Sequence, residues 1–211
     1  MDGADITKYF DKRIAYEMRL PEAIDSKLLS PFQYFGVSDS VDLSNLKWTR
    51  GGYEVSELEN VYIYNTKIAK RRAKEIITNT IKYVDDIEEV KGLGFCVSIK
   101  HAEFMNEEFN NAGISSLVLT GNSKKDVRDT AIKKIRNGEI KFIFTVDLFN
   151  EGVDIPEINT ILFLRPTESL TIFLQQLGRG LRLSEGKDCL TVLDFIGQSN
   201  RNYNFLDKLK H

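Results

Sequence analysis

The chain has 211 residues, 29 basic against 31 acidic side chains, a formal net charge of −2 and 42% hydrophobic residues. That composition supports the core of one good-sized domain and excludes a general coat of positive charge, so any contact with nucleic acid has to come from a local groove. No run approaches the ~18 apolar residues of a membrane span, and MDGADITKYFD at the start lacks the layout of a signal peptide, so the expectation is a cytoplasmic protein with no membrane partner.

The first ninety residues are irregular. TKYFDKRIAYEMRL reads as a helix stopped by Pro21, and LLSPFQYFGVSD carries a candidate strand around Gln33 to Phe35. DSVDLSNLKWTRGGYEVSELEN is polar and rich in turn formers. Residues 1–211 are therefore expected to form a single domain, with 1–27 an extension and 36–66 a loop-rich excursion. TKIAKRRAKEIITNTIKYVDDIEEV is predicted to be helical, with Ile68, Ile76, Ile77 and Ile81 turned inward. Its basic cluster, Lys67, Lys70, Arg71, Arg72 and Lys74, is assigned to a solvated face in preference to phosphate contact, because such side chains keep their charged heads in water.

From residue 94 the pattern becomes regular. GFCVSI is a short buried strand, followed by a helix in which Phe104, Met105, Phe109 and Ala112 share a spacing and Gly113 is the stop. SSLVLT is the next strand. The helix after it is predicted to open on a capping box of Ser123 and Asp126, to bury Val127, Ala131, Ile132 and Ile135, and to end at Asn137-Gly138. KFIFTVDLF and NTILFLR are further strands. Pro166 and Thr167 lead into the helix SLTIFLQQLGRG, and LTVLDFI is a last strand. Short apolar strands alternating with helices specify an α/β fold, a mostly parallel central sheet covered on both faces. Cys96 and Cys189 lie in strand-like runs and are read as small buried hydrophobes, the alternative being a disulfide. His101 and His211, the only histidines, leave little material for a metal site, and none is expected.

Two stretches carry chemistry. In VDLFNEGVDIPEINT a strand ends at Asp147 and a polar turn follows, the place where open α/β sheets bind ligands. Gly152 would let backbone approach a ligand closely, and Asp154 can accept a hydrogen bond from a hydroxyl such as that of a ribose. In QQLGRGLRL, Gln175, Arg179 and Arg182 fall within roughly 60° of one another on a helix. Gly178 among them costs ~1 kcal/mol of helix propensity relative to alanine, which suits a surface that another body must approach. Arginines so placed can grip a phosphoryl group with fixed donor forks, or they can simply be a basic helix end favoured by the macrodipole.

The order of elements resembles the second RecA-like lobe of superfamily 2 helicases and translocases. QQLGRGLR (175–182) matches the motif VI pattern H/Q-x-x-G-R-x-x-R at every defined position. VDLFNEGVDIP (146–156) resembles motif V, GFCVSIKHAEFM (94–105) resembles motif IV, and Leu119-Thr120-Gly121 with Arg128 is similar to the stretch between them. DGADITKYF, RLPEAI and PFQYFGVSD resemble segments that follow the first lobe in bacterial DEAD/DEAH-type proteins related to the type III restriction helicase subunit. The resemblance implies a RecA-like three-layer sandwich in which Arg179 and Arg182 are arginine fingers and Gln175 couples the nucleotide cleft to nucleic acid. It places Asp154 near the ribose, with Gly152 and Glu151 shaping the motif V turn. Ser98, Thr120, Gly121, Thr145 and Asp147 would lie along the nucleic-acid track. Two positions depart from the pattern: Val146 stands where motif V usually has threonine, and Gln176 where motif VI often has arginine.

The sequence has neither a G-x-x-x-x-G-K-[ST] loop nor a D-E-x-[DH] box. The expectation is that ATP with Mg²⁺ is held mainly by a first RecA-like lobe of the same parent polypeptide, and that this part alone does not hydrolyse it. DNA is the expected track, with RNA and a nuclease domain in the parent as further implications. The rival reading is a non-catalytic α/β module that binds a nucleotide or a protein.

Overall fold

The computed structural model describes residues 20–49, 52–146, 155–166 and 170–198. Six strands form one wholly parallel sheet: β1 (Phe32–Asp42), β4 (Gly92–Phe95), β5 (Ser116–Val118), β6 (Phe142–Thr145), β7 (Thr160–Phe163) and β8 (Leu190–Gln198), in the spatial order β1-β8-β7-β4-β6-β5. A two-stranded hairpin, β2 (Trp48–Thr49) with β3 (Gly52–Tyr53), stands apart from it. The helices are α1 (Leu20–Asp25), α2 (Val55–Glu59), α3 (Thr66–Tyr83), α4 (Ile99–Asn111), α5 (Lys125–Arg136) and α6 (Leu170–Gly180).

β4, β6 and β7 are buried throughout, as expected of continuously apolar runs in the middle of a parallel sheet. Alternate residues then feed two cores. Leu93, Phe95, Ile143, Ile161, Phe163 and Val192 meet Ala131 and Ile135 of α5 and Phe173 and Leu177 of α6. Phe142, Phe144, Leu162 and Leu193 meet Ala73 and Ile76 of α3 and Ala102, Met105 and Phe109 of α4 on the other face. The result is the expected three-layer arrangement. Gly92 and Gly94 make it close, because a Cβ there would lie 2.2 and 2.4 Å from the rings of Phe142 and Phe144 on the neighbouring strand. Gly113 and Gly138 end α4 and α5 with positive φ angles, as the sequence predicts.

Several local expectations are corrected. Pro21 lies inside a described helix, α1, and not at a helix end. The helix predicted to end there spans residues 7–20, all but Leu20 outside the described residues. β1 runs far beyond Phe35, to Asp42, held by parallel pairing with β8, and residues 55–64 are helical through α2 and a π-helical turn (Asn60–Tyr64). The predicted loop-rich excursion is thus largely built of regular elements. They carry a small core of their own, with Val41, Leu43, Tyr53, Leu58 and Tyr62 packed on Val97.

The long helix ends at Tyr83, and Asp86 instead caps a 3-10 turn (Ile87–Glu89) by accepting from the Glu88 N–H at 2.8 Å. Ile68 and Ile81 are 40% and 52% exposed, because the inward stripe of α3 is Ala69, Arg72, Ala73, Ile76 and Thr80, one step out of register with them. Val127 and Ala112 are likewise exposed. The capping box does not form: the Ser123 hydroxyl accepts from the Thr120 N–H at 2.9 Å, and α5 starts after Lys124 with no side-chain cap.

Candidate functional site

Polar groups singled out in the sequence divide between the two rims of the sheet. Ser98, Thr145 and Thr120 with Gly121 follow or end three adjacent strands, β4, β6 and β5, all at their carboxyl ends. With strands about 4.8 Å apart, they mark a row roughly 10 Å long. Ser98 is partly exposed and caps α4, its hydroxyl accepting from the His101 N–H at 3.3 Å. Thr120 closes a turn by accepting from the Ser123 N–H at 2.9 Å, and Gly121 is exposed. Thr145 is fully buried and its hydroxyl has no hydrogen-bond partner among the described residues. Asp147, Glu151, Gly152 and Asp154 lie outside the described residues.

The arginines stand at the opposite rim. α6 begins beyond the carboxyl end of β7 and runs back about 16 Å along the sheet. At its end, Gly180 lies against Leu190 and Ile161, at the starts of β8 and β7; a Cβ would come within 2.5 and 2.9 Å of those side chains. Arg179 is in the last turn and half-buried, and Arg182 is exposed. Since α6 stops at Gly180, Arg182 is not on the helical stripe predicted for it. It extends from the segment that follows, and only Gln175 and Arg179 share the helix. Among the described residues, nothing beyond its own helix backbone and chain neighbours lies within 4 Å of where a Cβ on Gly178 would be.

Two features of this rim were not read from the sequence. Gln176 occupies a core-facing position between Phe173 and Leu177, fully buried, with no hydrogen-bond partner for either amide atom among the described residues, a burden of about 1–3 kcal/mol per group. The Lys187 ammonium donates to three backbone carbonyls, those of Gly180, Arg182 (2.9 Å) and Pro156 (3.3 Å). Burial is the main cause that lowers its pKa to about 8.

The basic cluster of α3 also splits. Arg71, Lys67, Lys70 and Lys74 are exposed as expected, but Arg72 is buried. Its guanidinium pairs with Asp39 at 2.6 Å, donates to the Leu164 carbonyl at 3.0 Å and lies 3.9 Å from the centre of the Tyr62 ring. His101 completes the cluster, accepting from the Val97 N–H through Nδ1 at 3.2 Å. Burial first, and Arg72 second, push its pKa well below the ordinary histidine value. A neutral ring that accepts at Nδ1 carries its proton on Nε2, so the 3.4 Å approach of Arg72 to Nε2 is a contact between two donors. Among the described residues no group of three His, Cys, Asp or Glu side chains could hold a metal ion, and both cysteines are free thiols.

Residues 72–184 match the helicase conserved C-terminal domain family. The chain belongs to that family. IRC3 of Saccharomyces cerevisiae, whose name is that of an ATP-dependent helicase, is 33% identical over 200 residues, 94% of this chain and 28% of the relative. The chain therefore spans little more than a quarter of that relative's length. Among solved structures, the ATP-dependent type ISP restriction-modification enzyme LlaBIII bound to DNA superposes with a TM-score of 0.60 at 17% identity, over 92% of this chain and 14% of that one. The Escherichia coli DEAD-box protein SrmB bound to regulator of ribonuclease activity A gives 0.52 at 18% identity, over 61% and 72%. The fold is the RecA-like C-terminal domain of superfamily 2 helicases.

Proposed function

We propose that this domain is the C-terminal lobe of an ATP-dependent nucleic-acid helicase or translocase, with Arg179 and Arg182 as arginine fingers and the opposite rim as part of the nucleic-acid track. The observation that carries the reading is the separation of the two polar sets onto opposite ends of one rigid sheet. A nucleotide at one end and a strand at the other could then each bias the same body. Ser98, Thr120, Gly121, Thr145 and Asp147 are the proposed track residues, and Gln175, on α6 between the two ends, the proposed coupling residue. DNA is favoured over RNA, in keeping with the resemblance to the type III restriction helicase subunit.

The donor set fits a share of a triphosphate and no more. Two guanidiniums offer planar donor forks matched to phosphoryl oxygens. The sequence supplies no phosphate-cradling loop, so a first lobe of the same polypeptide is the proposed main holder of ATP and Mg²⁺. ATP, when bound, supplies the phosphoryl group whose transfer to water releases the energy for movement. Arg179 and Arg182 would orient its terminal phosphate and offset the negative charge that develops there. Gly152 and Asp154 are proposed to shape the ribose side.

The test is nucleic-acid-stimulated phosphate release by the complete polypeptide carrying Arg179→Ala or Arg182→Ala. Loss of a finger is expected to cut turnover by roughly 10³ to 10⁵. Unchanged turnover in both folded variants would remove the finger assignment.

A further inference from the structure

We propose that Lys187 is a positioning residue that fixes the segment bearing Arg179 and Arg182 and ties it to the exit of the motif V-like stretch at Pro156; this rests on the finger reading above. An ammonium has three donors, and here three carbonyls receive them. Two of the three belong to Gly180 and Arg182, which flank the end of α6, where unsatisfied carbonyls gather and a cation is favoured. The third belongs to Pro156, the last residue of the motif V-like stretch. The Ser30 N–H adds a bond to the Leu181 carbonyl at 2.7 Å, so the backbone between the arginines is held from two sides. Arg182 lies beyond the last residue of α6. Lys187 holds the backbone from which it extends, and it links the segments assigned to the track and to the nucleotide.

The site is also one that titrates. Lys187 faces Glu157 from the turn before β7 and has Asp188 and Cys189 on its own segment. Asp85, Asp86 and Glu89 lie across a cleft of about 240 Å³. Despite these acids, burial among carbonyls leaves its pKa near 8. Above that pH a neutral amine has two donors for three acceptors and no charge to offer them, so the brace loosens.

The experiment measures ATP turnover by the complete polypeptide with saturating nucleic acid, comparing wild type, Lys187→Met, Lys187→Arg, Arg179→Ala and Arg182→Ala across pH 6.5 to 9.5. Lys187→Met is expected to lower kcat by up to about 10²-fold, the cost of misplacing a catalytic group by an ångström, with KM for ATP nearly unchanged. Wild-type kcat should fall as pH rises through about 8, Lys187→Met should lack that limb, and Lys187→Arg should recover part of the rate. A Lys187→Met rate equal to wild type, or lowered only by its unfolded fraction in circular dichroism, overturns the proposal. If Arg179→Ala is inactive in that same series, the finger reading survives alone. If Arg179→Ala and Arg182→Ala are both fully active, the two readings fall together.

Discussion

Arg72, in KIAKRRAK, and the pair Arg179 and Arg182, in QQLGRGLR, come from stretches of similar basic character, yet the fold treats them in opposite ways. Arg72 is 2% exposed and every feature around it is structural: an acid at 2.6 Å, a carbonyl, an aromatic face and a neutral histidine. It joins α3 to β1 through Asp39 and to the end of β7 through Leu164. Arg179 and Arg182 instead stand where a helix gives out. A buried cation is held by what surrounds it, so it can do little but stabilise. A cation at a partly exposed rim can be reached by a ligand.

The largest expected effect breaks the buried side of this comparison. Arg72→Met leaves the Asp39 carboxylate buried without its partner, and removing one half of such a pair costs about 3–5 kcal/mol. Replacing both, as Arg72→Met with Asp39→Leu, should recover much of the loss because no charge is then stranded. Arg182→Ala, at an exposed position, should shift stability by no more than about 0.5 kcal/mol. Urea unfolding of the three variants decides it. Equal midpoints for Arg72→Met and Arg182→Ala would mean that the buried cluster is not the clamp it looks to be.

A smaller effect comes from His101, inside the same cluster. Its folded pKa lies well below 6.5, so below pH 6.5 the unfolded chain binds a proton that the folded one refuses. Stability then falls as pH drops through the window below 6.5, by at most about 1.4 kcal/mol per pH unit for one proton, and levels off once the folded pKa is passed. His101→Asn offers an amide oxygen to the Val97 N–H and does not titrate, so it should flatten this part of the profile. The measurement is the difference in urea midpoint between pH 7.5 and 5.5 for wild type and variant; identical differences would show that His101 takes up its proton in the folded state.

The contrast also explains what was legible beforehand. Strand and helix order from β4 to β8 follows from apolar runs and stop glycines, because buried parallel strands leave few alternatives for sequences such as FIFT and TILF. Helix register at α3 was misread by counting isoleucines. The alanines at 69 and 73 marked the true inward stripe, and Arg72 lies between them on that face. A single cation among five basic neighbours does not announce that an acid 33 residues earlier will meet it, since that pairing depends on β1 adding to β8 at the sheet edge. Lys187 was illegible for a related reason. Its partners are backbone carbonyls, which every residue has, so only tertiary geometry could single it out.

The smallest effect sharpens the open side. Gly178 and Gly180 stand two apart on α6, yet among the described residues a Cβ at 178 meets nothing within 4 Å beyond its own helix backbone and chain neighbours, while one at 180 would press on Leu190 at 2.5 Å. In the domain alone, Gly178→Ala should therefore gain up to about 1 kcal/mol of helix propensity, whereas Gly180→Ala should lose about 1–3 kcal/mol to overpacking. Gly178 would then be a residue kept at a stability cost. If that cost exists because a first lobe comes close during turnover, Gly178→Ala in the complete polypeptide should reduce stimulated ATP hydrolysis even as the thermal midpoint of the domain rises. Stability and turnover moving in opposite directions would separate a docking face from an ordinary exposed helix end. If Gly178→Ala stabilises the domain and leaves hydrolysis untouched, no partner surface comes within a methyl group of that position, and the arginines must reach their phosphate across a wider gap.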